Sequence, residues 1–232
     1  MSSGGASRPS TLLTSRVRNI AHRVSSALSS STPFIHNFVR SDASDRVLLA
    51  LHGTGGDEND LIPLARELDP QASILSPRGR VLENGMPRFF RRFAEGVFDV
   101  EDLKFRAEEL AEFVVASSKE YSFRVGNVTA LGYSNGANIA AGLLLLRPDV
   151  LSRAILFRVT LPLEPEKKPD LSRKQVFISA GKYDQMISRD GTVRLVEVLK
   201  ECGAKVEIRW QESSHGLITQ DVEDAKRWLR AS

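Results

Sequence analysis

Acidic residues are missing from the first forty positions of this 232-residue chain. Arg8, Arg16, Arg18, Arg23 and Arg40 stand there among many serines, and no Asp or Glu occurs before Asp42. That bias separates a basic leader from the rest, and it fits either a disordered polar extension or an organellar targeting segment, with Val17, Ile20, Val24 and Leu28 able to form one apolar helical stripe. Cysteine is scarcer still. Cys202 alone is present, which excludes an intrachain disulfide and reads as a packing residue at a helix end. No apolar run approaches the roughly 20 residues that span a bilayer, so no membrane span is expected. Net charge is only +3 and does not cluster into a wide basic surface, which argues against nucleic acid as a partner. The Arg88, Arg91 and Arg92 series alternating with Phe89, Phe90 and Phe93 is followed at once by Glu95, Asp99, Glu101 and Asp102, so it reads as a packed loop with paired charges.

What is present is an alternation of short Val-, Ile- and Leu-rich runs with longer segments of helical period, the pattern of a mostly parallel sheet covered by helices on both faces. "RVLLALHG", "ASILSPRG", "NVTALGYS", "RAILFRVT", "QVFISAGK" and "KVEIRW" read as strands, with "FIHNFVR" as an edge strand ahead of them. Helices are expected at 57–68, 101–119, 135–146, 192–201 and 220–229. The reading is an extension over 1–32 and a single α/β domain over 33–232, with no metal cluster and no cofactor motif. Only the 78–98 and 158–170 connections are long, so at most a minimal cap domain is expected.

Glycine-bearing loops follow three of the strands, and ligands of open α/β sheets bind outside the carboxyl ends of strands. In the third loop, Gly132-Tyr133-Ser134-Asn135-Gly136 fits G-x-S-x-G between a strand and a helix. There a serine sits on a strained turn and the glycines remove Cβ atoms that would collide. A serine nucleophile needs a base and a group to orient it. Among four histidines, His215 in "ESSHGL" follows the last strand and reaches the same rim, whereas His22, His36 and His52 lie in the leader, the edge strand and the first glycine loop. The acid should follow a strand between the two. Asp184 in "AGKYDQMI" is preferred to Asp190, which reads as a helix N-cap, and to Asp170 and Glu164. An oxyanion hole needs two backbone N–H groups, assigned to Asn135 and, in "LHGTGGDEND", to Thr54. The latter loop matches neither nucleotide-binding glycine pattern.

"LHGTGGDENDLIPLA", "PRGRVLENGMPRFFRRFAEGVFDVEDL", "LGYSNGANIAAGLLL" and "SHGL" together resemble the phospholipase/carboxylesterase branch of the α/β-hydrolases, which includes acyl-protein thioesterases; the nearest look is to bacterial-type carboxylesterases associated with hydroquinone or aromatic-ring degradation. The resemblance runs from about Phe34 to the C-terminus. It implies an α/β-hydrolase fold and a cofactor-free serine esterase whose triad is Ser134, Asp184 and His215, with Thr54 and Asn135 in the oxyanion hole. The "FD" pair Phe98-Asp99 is similar to an aromatic-Asp pair beside the active site of the thioesterase relatives. Gln185 stands where relatives often carry proline, and "LFRVTLPLEP" departs from a loop commonly richer in methionine. The expectation is hydrolysis of short- to medium-chain esters, with Phe89, Phe93 and Phe98 lining the pocket. Acyl-protein thioesterase or lysophospholipase activity and a catalytically silent binding scaffold are the alternatives. A small-molecule ester is the expected partner, homodimerisation follows from analogy alone, and the expected location is the cytoplasm unless the Arg/Ser-rich leader directs import.

Overall fold

The computed structural model describes Met1 and residues 34–231. The expected apolar stripe and His22 lie outside the described residues. The elements are β1 (His36–Val39), β2 (Val47–Leu51), α1 (Ile62–Leu68), β3 (Ser73–Pro77), β4 (Val81–Glu83), β5 (Met86–Arg88), β6 (Arg92–Ala94), β7 (Val97–Phe98), α2 (Val100–Glu120), β8 (Val128–Tyr133), α3 (Asn135–Leu146), β9 (Arg153–Phe157), β10 (Gln175–Gly181), α4 (Arg189–Glu201), β11 (Lys205–Gln211) and α5 (Thr219–Ala231). Seven strands form one sheet in the order β1-β3-β2-β8-β9-β10-β11. Only the β1–β3 pair is antiparallel. All seven strands expected from the sequence are in it. The interior strands β2, β3, β8, β9 and β10 are buried almost throughout, which is why they read as continuous apolar runs: parallel strands covered on both faces have no polar side.

The two faces carry separate cores. Leu103, Leu110 and Val114 of α2, Ile139 and Leu143 of α3, and Leu195 and Leu199 of α4 cover one face. Ala65 and Leu68 of α1 and Ala225 and Trp228 of α5 cover the other. Helix α3 is buried along almost its whole length, so its residues read as an apolar run with no polar stripe. Among the described residues no helix is long and apolar enough to cross a membrane.

Three expectations need correction. Helix α1 begins at Ile62 and not at residue 57, because Asp57 Oδ1 accepts the Asn59 N–H (2.8 Å) and closes a side-chain turn, and Pro63 then sits in the first helical turn where its missing N–H costs nothing. Helix α4 is capped by Ser188, whose Oγ accepts the Gly191 N–H (3.1 Å), while Asp190 lies inside the first turn. The 78–98 connection is two antiparallel hairpins, β4–β5 and β6–β7. The first turns through Asn84 and Gly85, both at positive φ (51° and 81°), the requirement of a tight primed turn. The Asn-Gly pair in "VLENGMPR" is the local signal that marks it.

Candidate functional site

At the carboxyl end of β8 the chain turns straight into α3 through Ser134, whose φ of 53° and ψ of −114° put a non-glycine residue in a rarely populated region. The turn is so tight that its glycines are obligatory. A Cβ on Gly136 would lie 1.9 Å from Leu51 O, and one on Gly132 would lie 2.6 Å from Ala137 Cα. Ser134 N–H donates to Phe157 O (2.9 Å), and Asn138 N–H donates to Ser134 O (2.9 Å), so both flanks of the bend are tied.

Two other loops of the same rim meet the serine. Ser134 Oγ lies 3.0 Å from His215 Nε2, and His215 Nδ1 lies 2.8 Å from Asp184 Oδ2. The carboxylate cannot swing away: its Oδ1 accepts the N–H groups of Met186 (2.9 Å) and Ile187 (3.0 Å), and its side chain is only 2% exposed. Gln185, the departure from the resemblance, is spanned by these bonds and leaves the Asp184 geometry intact. The other acids go elsewhere. Asp170 binds the Ser172 N–H, and Glu164 pairs with Arg194 on the surface. Neither remaining described histidine reaches the serine, since His36 bonds Phe34 O and Tyr121 OH, and His52 is buried under the Thr54 loop.

That loop joins β2 to α1. Gly55 N–H donates to Pro87 O (2.9 Å) and Gly56 N–H to Gly53 O (3.1 Å), leaving the Thr54 N–H without an acceptor among the described residues. Asn135 is the first residue of α3, where backbone N–H groups lack intrahelical acceptors. His52 pins the loop from below. Its Nε2 accepts the Gly79 N–H (2.9 Å), so Nδ1 carries the proton and donates to Gly53 O (2.6 Å). Burial lowers the His52 pKa below its ordinary value, which favours that neutral form.

A cleft of about 310 Å³ opens over Ser134, walled by Thr54, Met86, Arg88, Phe98, Tyr133 and Ile187 among others. The three expected phenylalanines divide. Phe98 lines it; Phe89 is buried beneath, its ring 4.8 Å from that of His52; Phe93 is 76% exposed and points away from the cleft wall. Phe93 is the extra residue where the β6–β7 register shifts between Arg92, which pairs with Phe98, and Ala94, which pairs with Val97, a placement that appears only once the hairpin is recognised. Asp99, the partner of Phe98 in the "FD" pair, caps α2 by accepting the Asp102 N–H (3.1 Å).

One residue holding the site was not foreseen. Arg158, just past β9, is fully buried at φ 57° and binds the histidine loop from within: Nε to Ser214 O and His215 O (both 3.1 Å), Nη2 to Gly216 O (2.7 Å) and Ser213 Oγ (3.0 Å). Asp221 at the start of α5 neutralises it in a bidentate pair (2.8 and 2.7 Å). A charged residue ending an apolar strand run is the trace this leaves in "AILFRVT". Tyr133 adds a further tie, its OH donating to His215 O (3.1 Å).

Residues 36–232 match the family model described as phospholipase/carboxylesterase. The chain is 47% identical over 187 residues to MhqD of Bacillus subtilis (strain 168), a protein assigned to the hydrolases by name, across 81% of this chain and 94% of that one. It superposes on a Bacillus cereus carboxylesterase with a TM-score of 0.83 at 46% identity, covering 91% of this chain and 98% of the other. A Mesorhizobium loti carboxylesterase gives a TM-score of 0.77 at 32% identity, covering 82% and 90%. With a matching family model over nearly all described residues and a relative 47% identical across 81% of the chain, the chain belongs to the phospholipase/carboxylesterase family, hydrolases of carboxylic esters built on the α/β-hydrolase fold.

Proposed function

We propose that this chain is a serine carboxylesterase acting on short- to medium-chain esters through an acyl-enzyme. The observation that carries it is the continuous chain of contacts from Asp184 Oδ2 through His215 to Ser134 Oγ. His215 Nε2 takes the serine proton as Oγ attacks the ester carbonyl, and Asp184 holds the imidazole with Nδ1 protonated. Charge then grows on the carbonyl oxygen. The unbonded N–H groups of Thr54 and Asn135 stabilise it, fixed beforehand by the His52-anchored loop and the α3 terminus. Collapse returns the proton to the leaving alcohol through His215. A water activated by the same imidazole releases the acid and restores Ser134.

The volume of the cleft supports short acyl groups, since about 310 Å³ stands at the low end for ligand pockets. The test is p-nitrophenyl ester hydrolysis over a series of acyl lengths by the native protein and by Ser134→Ala. Activity falling by roughly four to six orders of magnitude in the variant is expected. Equal rates would return the turn to a structural role and the fold to a binding scaffold, and faster turnover of palmitoylated peptides than of short esters would favour the thioesterase reading.

A further inference from the structure

Met86, Phe98, Tyr133, Met186 and Ile187 give the cleft wall its apolar part, and two guanidiniums, those of Arg88 and Arg92, are set into it. Arg88 on β5 is only 2% exposed. Its Nη1 donates to Thr54 Oγ1 (2.5 Å), and its Nε lies 3.3 Å from Phe90 O and 3.1 Å from Glu83 Oε2. The remaining terminal nitrogen, Nη2, has no acceptor among the described residues. The neighbouring carboxylates are already engaged: Glu83 pairs with Arg88 Nε and also receives Arg92 Nη2 (2.8 Å) and Nε (3.0 and 3.2 Å), and Glu95, which also lines the cleft, lies 3.3 Å from Arg92 Nη1 with its side chain half exposed. A second donor of the same wall is also unmet. Asn135 Oδ1 accepts the Phe89 N–H (2.7 Å), which leaves Nδ2 buried with no partner.

An arginine donor that faces a cleft without a protein acceptor is available to an acceptor on a bound ligand. The planar fork of arginine matches a carboxylate better than any neutral group. We propose that the cleft takes esters that also bear a carboxylate, with Arg88 Nη2 binding that group while Ser134 attacks the ester. The inference rests on the esterase reading given above. Since Nη1 is seated on Thr54, the carboxylate subsite adjoins the oxyanion loop, and compact bifunctional esters fit where long single-ended chains do not. The carboxylate is unchanged in the reaction; water adds across the ester as before, giving the acid and the alcohol.

Matched ester pairs test it in two arms. With the charge on the acyl side, the pair is mono-p-nitrophenyl adipate and p-nitrophenyl hexanoate; with the charge on the leaving side, it is p-acetoxybenzoate and its methyl ester. The native protein is expected to prefer the anionic member in one arm, which identifies the side that carries the carboxylate. In Arg88→Gln the ratio of kcat/KM values, anionic over neutral, is expected to fall roughly 10- to 100-fold, the worth of one charge-assisted hydrogen bond. An unchanged ratio, or equal losses on both members, would overturn the proposal and leave Arg88 a brace for Thr54. Failure of the native protein on every ester would remove the esterase reading and this inference with it. Should Arg88→Gln not fold, competitive inhibition of the native protein decides. Glutarate must then bind more tightly than glutaramide, with the difference shrinking as salt is added, and equal inhibition would refute the carboxylate site.

Discussion

Ser134 owes its geometry to atoms that are absent. With only 1.9 Å between a hypothetical Gly136 Cβ and Leu51 O, the Ser134 turn and strand β2 can coexist only because position 136 has no side chain. Gly136→Ala is therefore expected to destabilise by about 3 kcal/mol or more, since the clash is with backbone that cannot rotate away; a urea midpoint close to that of the native protein would contradict this. The Asp184 carboxylate is held as firmly. Asp184→Asn keeps both bonds from Met186 and Ile187 but no longer selects the His215 tautomer, and kcat should fall by about four orders of magnitude with KM little changed. Both residues were legible in the sequence because chain order and loop position follow from the fold class, whereas Phe93 was misassigned because its direction depends on which residues of a short hairpin pair.

Two elements support the rim from below, and each predicts its own behaviour. The loop between β2 and α1 depends on neutral His52. The unfolded chain protonates this histidine at its ordinary pKa, and the folded chain does so only at lower pH. Its contribution to stability is fully present above the ordinary histidine range and is lost as pH falls toward the lowered folded value. Unfolding free energy measured between about pH 7 and pH 5 should decline in the native protein and decline less in His52→Gln. The histidine loop depends instead on Arg158. Arg158→Met strands Asp221 in the interior and should cost about 3 to 5 kcal/mol. Adding Asp221→Leu should restore much of that stability but not kcat, because the carbonyls of Ser214, His215 and Gly216 would still lack the Arg158 guanidinium that ties all three together. Recovery of kcat together with stability would show that the pair serves the core alone. Neither support was visible as a motif. His52 looked like one more loop histidine, and Arg158 like the end of a strand.

At the scale of the molecule, the described fold runs from residue 34, and Phe34 already packs in the core beside α2 through Phe113 (ring centroids 4.8 Å apart). A chain truncated to residues 33–232 should keep the native thermal midpoint and kcat/KM; a loss of either would give the leader a part in folding or catalysis. The sequence by itself determined the strands of the sheet, the existence of the helices and the chain order of Ser134, Asp184 and His215. These depend on local periodicity and on tight turns that only glycine permits, both of which are written in neighbouring residues. Only the tertiary structure decided what surrounds the serine. The two short hairpins wall the cleft, Arg88 lies against Thr54, and Arg158 sits beneath His215, because pairings between residues 34 to 58 positions apart depend on how the loops fold over the sheet and leave no period in the chain.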